Sequence, residues 1–220
     1  MKLLTIGLAR TQWWGHMADF NPKGIAFYPL IMTFLIKTYK FKIFPDPTKI
    51  PAPGVGLKFE RGEFAVKEDF LTDVALSVYN DGLTADTYSS TDHSDAFLLD
   101  VWTHFTEIFK SPDYNEVIRK KTHLSQLYVS TDKSLQTVNP KLRDFAQLLS
   151  VTISNEQPEA FYELGGVSFW ADSVAGISAT PFAFERAMNV PFSENRYYSA
   201  APLQTGQHLE LLDRLEDILS

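Results

Sequence analysis

The sequence predicts an α+β fold: a mainly antiparallel, or mixed, sheet with three to four amphipathic helices packed on it. Two observations predict it. Residues 70–109 read as strand, Asn80-Asp81-Gly82 turn, strand, then a helix opened by Thr91. Residues 182–219 read as strand, loop, strand, then a helix opened by Thr205. Strand pairs that lead straight into amphipathic helices are the pattern of an antiparallel α+β domain.

The elements follow in order. Lys2–Ala9 reads as a first strand, and residues 11–28 as irregular. Pro29 has no place inside a helix and starts the segment Leu30–Thr38, where Leu30, Ile31, Phe34 and Leu35 share a face. Tyr39–Phe44 alternates as a strand does, and Pro45 stops it. Residues 46–56 form a proline- and glycine-rich loop, the one candidate sub-boundary in a chain otherwise read as a single domain, 1–220. Leu57–Phe59 and Glu63–Val66 flank Arg61-Gly62, a tight hairpin in prospect. Val74–Tyr79 and Leu83–Tyr88 flank Asn80-Asp81-Gly82, residues that tolerate the positive φ of a primed turn.

Thr91 or Asp92 then caps a helix. Phe97, Leu98, Val101, Trp102, Phe105, Ile108 and Phe109 give it one broad apolar face at a 3.6 period. Ser111-Pro112 ends it, and His123–Thr131 reads as a strand. Asn139-Pro140 caps and starts another helix, with Leu142, Phe145, Leu148 and Leu149 as its face. Phe161–Trp170 reads as a strand with a bend at Gly165-Gly166. Strands at 182–188 and 196–201 follow. The last helix turns Leu211, Leu212, Leu215, Ile218 and Leu219 inward. Phe-Glu-Arg recurs at 59–61 and 184–186, and Leu-Leu-Asp at 98–100 and 211–213, a weak sign that the hairpin-then-helix unit is duplicated.

Composition bounds the function. The 220 residues contain no cysteine, which excludes disulfides, cysteine nucleophiles and thiolate metal sites. Residues 25–36 form the longest apolar stretch, too short for the roughly 20 residues a membrane span needs. The first ten residues make a poor signal peptide, because Arg10 ends their short apolar run. The expectation is a cytoplasmic protein with no membrane contact. The net charge is −7, and Glu60–Asp100 alone holds ten acids against Arg61 and Lys67. The basic stretches at 37–49 and 119–121 lack the density of a nucleic-acid footprint, which argues against nucleic acid as a partner. Aromatic residues are abundant, with 17 Phe, 9 Tyr and 4 Trp, types that fill cores and interfaces alike.

No chemical motif stands out. There is no P-loop, Gly-x-Gly-x-x-Gly, Gly-x-Ser-x-Gly or His-Glu-x-x-His. His93 and His104 lie on one helix, separated by a rise of roughly 16 Å, too far to share a metal ion. No cofactor and no metal site is expected. Asp86, Asp92, His93 and Asp95 have the residue types of acid–base chemistry, but they gather where a helix begins, and capping explains acids there.

Three function classes remain. The leading expectation is a non-catalytic protein-interaction or assembly module, oligomeric, that binds a protein partner or itself through Trp13, Trp14, Phe20, Phe27 and Tyr28. The alternatives are a hydrolytic or metal-dependent enzyme using Asp86, Asp92, His93 and Asp95, and a small-ligand binder with an aromatic pocket.

Overall fold

The computed structural model describes residues 1–20, 28–46, 56–67, 70–172 and 180–219. The chain forms two compact units. The larger holds Ile6–Ser125 with Leu203–Thr205, and the smaller holds Met1–Thr5, Gln126–Pro202 and Gly206–Ser220. The fold is α+β with an antiparallel sheet, as the strand-then-helix rhythm predicts.

The first half runs β1 (Lys2–Trp14), α1 (Met17–Phe20), α2 (Tyr28–Tyr39), β2 (Leu57–Lys67), β3 (Phe70–Tyr79), β4 (Gly82–Thr87) and α3 (Thr91–Phe109). After the short α4 (Tyr114–Val117) come β5 (Lys120–Ser130), α5 (Pro140–Ile153), β6 (Gly166–Phe169), β7 (Phe182–Arg186), β8 (Arg196–Ala201) and α6 (Thr205–Ile218). Leaving α1 and α4 aside, each half reads strand, helix, three strands, helix. The strand order is also the same: β2-β3-β4-β1 in one half and β6-β7-β8-β5 in the other.

Alternation builds the larger unit. Ala9, Thr11 and Trp13 of β1 are buried on one face, with Leu83, Ala85, Val74, Leu76 and Phe59 from β4, β3 and β2. α3 covers that face with Phe97, Leu98, Val101 and Trp102, and α2 with Met32, Leu35 and Tyr39. Ser90 caps α3, its Oγ accepting from the Asp92 N–H at 3.1 Å. Lys110 ends it in the left-handed region at φ 55°. The Tyr39 hydroxyl donates to Asp100 at 2.8 Å, and burial and that carboxylate push its pKa well above the ordinary value.

Several elements differ from the sequence reading. β1 continues to Trp14, so the stretch read as irregular begins as strand. Residues 40–44 make no strand: α2 runs to Tyr39, Lys40 turns at φ 53°, and one bridge joins Ile43 to Glu60. Arg61-Gly62 is not a hairpin but a bulge in a continuous β2, with Arg61 at φ 56° and a register shift between Phe59 and Gly62. A Cβ on Gly62 would come within 2.5 Å of the Phe41 ring, so glycine lets that ring lie on the strand. The hairpin loop between β3 and β4 is Asn80-Asp81, and neither residue has positive φ. Gly82 matters there for another reason: its Cβ would stand 2.1 Å from the Trp13 carbonyl oxygen. The strand read over 161–170 shortens to Gly166–Phe169. Of the loop read over 46–56, residues 47–55 lie outside the described residues.

The smaller unit buries Leu127, Val129, Leu135, Phe184, Tyr197, Ala201, Leu212 and Leu219. Phe184 and Tyr197 stack at 4.5 Å. Arg186 is largely buried: it pairs with Glu163 at 2.5 Å and lies over the Phe192 ring at 4.4 Å. Asn139 caps α5 as expected. The expected inward faces of the last two long helices are only partly inward. Leu211 and Ile218 of α6 are exposed, and in α5 the one buried residue is Ala146. Among the described residues no helix is long and apolar enough to cross a membrane.

Two stability predictions follow from these cores. Trp102 is 3% exposed and its indole donates to the Pro112 carbonyl at 3.0 Å. Trp102→Ala is expected to cost about 3–5 kcal/mol in urea unfolding. His208 is fully buried with its Nε2 2.8 Å from Ser199 Oγ, and burial lowers its pKa to about 4. The unfolded chain takes up a proton near pH 6.5, but the folded chain holds His208 neutral to about pH 4. Its stabilising effect is therefore complete above pH 6.5 and lost progressively as pH falls towards 4, at up to roughly 1.4 kcal/mol per pH unit. Unfolding free energies at pH 7.5 and 4.5 check this: the decline is expected to shrink in His208→Gln.

Candidate functional site

The face of the larger unit's sheet opposite α2 and α3 carries side chains in three rows set by strand register. Arg10, Asp86 and Ala75 lie directly across β1, β4 and β3. Gln12, Thr84 and Ser77 form the next row, and Trp14, Gly82 and Tyr79 the third. The first row is centred on a two-point ion pair. Arg10 Nε donates to Asp86 Oδ1 at 2.6 Å and its NH2 group to Oδ2 at 2.8 Å. The two side chains are 35% and 26% exposed. The Asp86 carboxylate holds the Arg10 guanidinium above its ordinary pKa.

A hollow of about 270 Å³ lies beside this pair, lined by Arg10, Gln12, Trp14, Ser77, Tyr79 and Thr84. Gly82, Trp13 and Leu83 also line it, beside the exposed Trp14 and Tyr79 rings. Trp14 is held in place by its indole N–H, which donates to Thr122 Oγ1 at 2.8 Å, and Thr122 in turn donates to Gln12 at 3.2 Å. A second hollow of about 430 Å³ lies on the other side, lined by Glu60, Arg61, Asp73, Asp86 and Tyr88. Tyr88 is 68% exposed. The ion pair is thus a ridge between two hollows, with exposed aromatics at both ends.

Among the described residues, the four acid–base candidates at 86–95 share no hydrogen-bond partner. Asp86 belongs to the ridge. Asp92 is exposed in the first turn of α3. His93 Nδ1 lies 2.9 Å from Ser89 Oγ, which is 2.9 Å from Thr72 Oγ1, and its ring rests against Phe70. Asp95 accepts from the Trp13 indole at 2.6 Å and from Lys121 Nζ at 3.0 Å. The hydroxyls of this corner are engaged in joining elements. Thr91 N–H donates to Thr205 Oγ1 at 3.0 Å while Thr205 N–H donates to Thr91 Oγ1 at 2.8 Å. Thr11 Oγ1 donates to the Thr91 carbonyl at 3.1 Å and meets Ser94 Oγ at 2.7 Å. Among the described residues no three His, Asp or Glu side chains gather as a metal site.

The aromatic stretch is divided by the strand it turns out to be. Trp13 is fully buried, stacked on Tyr114 at 5.4 Å with Lys121 Nζ 4.4 Å from its ring. Trp14 is 36% exposed on the opposite face. Phe27 and the side chains of Phe20 and Tyr28 lie outside the described residues. Arg10, Gln12, Tyr79 and Tyr88 were missed by sequence reasoning. The signal was present: Arg10, Gln12 and Trp14 alternate with Ala9, Thr11 and Trp13 at period two. The apolar cavity that a small-ligand reading would need measures about 100 Å³ inside the core, between Leu35, Phe59, Val101 and Trp102. That is below the roughly 300 Å³ at which ligand pockets begin.

No family model matches this chain, and no curated protein is similar to it.

Ser90, rather than Thr91 or Asp92, is the residue that caps α3. Ser90→Ala is expected to cost about 0.5–2 kcal/mol. Asp92→Ala removes only a charge near the helix dipole, about 0.3–1 kcal/mol. Urea melts of the two variants at low ionic strength check the order, and a larger loss from Asp92→Ala would refute the capping assignment.

Proposed function

We propose that this protein is a non-catalytic protein-binding module whose binding surface is the ridge-and-hollow face of the larger unit's sheet. The observation that carries this reading is the half-exposed two-point Arg10–Asp86 pair flanked by Trp14, Tyr79 and Tyr88. Arg, Trp and Tyr are the residue types that dominate binding energy at interfaces, and they work best where a partner excludes water around them. A docked chain would strengthen the ion pair by removing solvent from it, and the two hollows would take apolar or aromatic side chains. The separate partners of Asp86, His93 and Asp95 also favour binding over catalysis, since acid–base chemistry needs its groups around one reacting atom.

The test begins with the protein that co-purifies with this chain from its native host. Trp14→Ala and Tyr88→Ala, alone and combined, are compared with the parent by calorimetric titration of that partner, with melting curves as the folding control. The double variant is expected to bind at least tenfold more weakly while melting within a few degrees of the parent. Unchanged affinity would refute the assigned surface. A cellular activity abolished by His93→Ala with the fold intact would favour an enzyme instead.

A further inference from the structure

α5 in the smaller unit is an amphipathic helix whose apolar side faces solvent. Phe145 is 62% exposed, Leu148 61% and Val151 70%. Lys141, Phe145, Leu148 and Thr152 follow a 4-3-4 spacing, the seam along which two helices pack. Leu142 and Val151, 45% and 70% exposed, flank this seam on either side. Among the described residues nothing covers this surface. Apolar side chains clustered in solvent along one helix seam mark an interaction site in a folded protein.

We propose that α5 is the interface of a homodimer in which two copies of this helix pack antiparallel about a two-fold axis near Leu148 and Leu149. Charge is the first argument. Lys141 and Arg143 lie in the first turns of α5, with Asp144 alone opposing them, and Glu156 and Glu159 lie just past its end; all are exposed. A two-fold axis at residues 148–149 brings Lys141 of each copy to Glu156 of the other, so one patch complements itself, as an isologous interface requires. A parallel pair would set like charge on like. Area is the second argument. Leu142, Phe145, Leu148 and Val151 together expose on the order of 400 Å², taking about 200 Å² for a fully exposed aromatic. Two such patches bury about 800 Å², the size of a weak, concentration-dependent dimer. The dimer is independent of the partner-binding face, which lies in the other unit and shares no residue with it.

Sedimentation equilibrium of the full chain between about 1 and 100 µM tests the proposal. The parent is expected at twice its 24.9 kDa at the upper concentration. Leu148→Glu is expected to be monomeric with an unchanged near-ultraviolet dichroism spectrum. Should that variant fail to fold, the charge pair carries the test. Lys141→Glu and Glu156→Lys are each expected to weaken the dimer at least tenfold, and the two together to restore it to within about threefold of the parent. A parent that is monomeric at 100 µM overturns the proposal. So does a dimer indifferent to these changes, and a double variant that stays as weak as the single ones refutes the antiparallel arrangement.

Discussion

The larger unit rests on one constraint: a strand has two faces, and helices bury only one of them. Once α2 and α3 desolvate the face carrying Ala9, Thr11 and Trp13, the alternate residues Arg10, Gln12 and Trp14 have to meet solvent or one another. A slip of one residue in β1 would put Arg10 against Phe97 and Leu98 and bring Trp13 out, so the register is strongly fixed. Neighbouring strands inherit it. Asp86 stands across from Arg10 because Ala85 and Thr87 have to face the helices. The ion pair, the row of Gln12, Thr84 and Ser77, and the row of Trp14, Gly82 and Tyr79 are consequences of packing on the far side of the sheet.

The turn from β4 into α3 is secured by hydroxyls rather than by apolar contact alone. Thr11, Thr91, Ser94 and Thr205 are all buried, and each finds a hydrogen-bond partner in the group. A buried polar group without a partner would cost roughly 1–3 kcal/mol, so a fully satisfied set defines one arrangement sharply. Each of the two threonines offers its Oγ1 to the other's N–H at the opening of a helix, where backbone donors lack partners. Thr91 and Ser94, which stand among the acid–base candidates Asp92, His93 and Asp95 in sequence, thus hold elements together.

The two halves of the chain share an order of elements and of strands but treat their first long helix differently. α2 turns Met32, Leu35 and Tyr39 into a core. α5, at the same place in the order, buries Ala146 alone and leaves Phe145 and Leu148 in solvent. Both sequences are amphipathic, and both helices have sound starts, with Pro29 near the beginning of one and the Asn139 cap before Pro140 on the other. The difference lies in what each helix meets.

The sequence by itself determined the fold class and most helix ends. Periodicity over 97–109, the Asn139-Pro140 start and the β3–β4 hairpin are local signals, written in residues close together in the chain, and the structure has them where they were read. The tertiary structure alone decided which face of each element is buried. Trp13 and Trp14 are identical side chains in adjacent positions, and only the helices over β1 make one of them core and the other surface. The same holds for Phe145 and Leu148, which look like core residues in any helical wheel. It holds for Asp86, whose partner Arg10 is 76 residues away in the chain. Periodicity fixes which residues share a face, and the packing of distant segments fixes what that face meets.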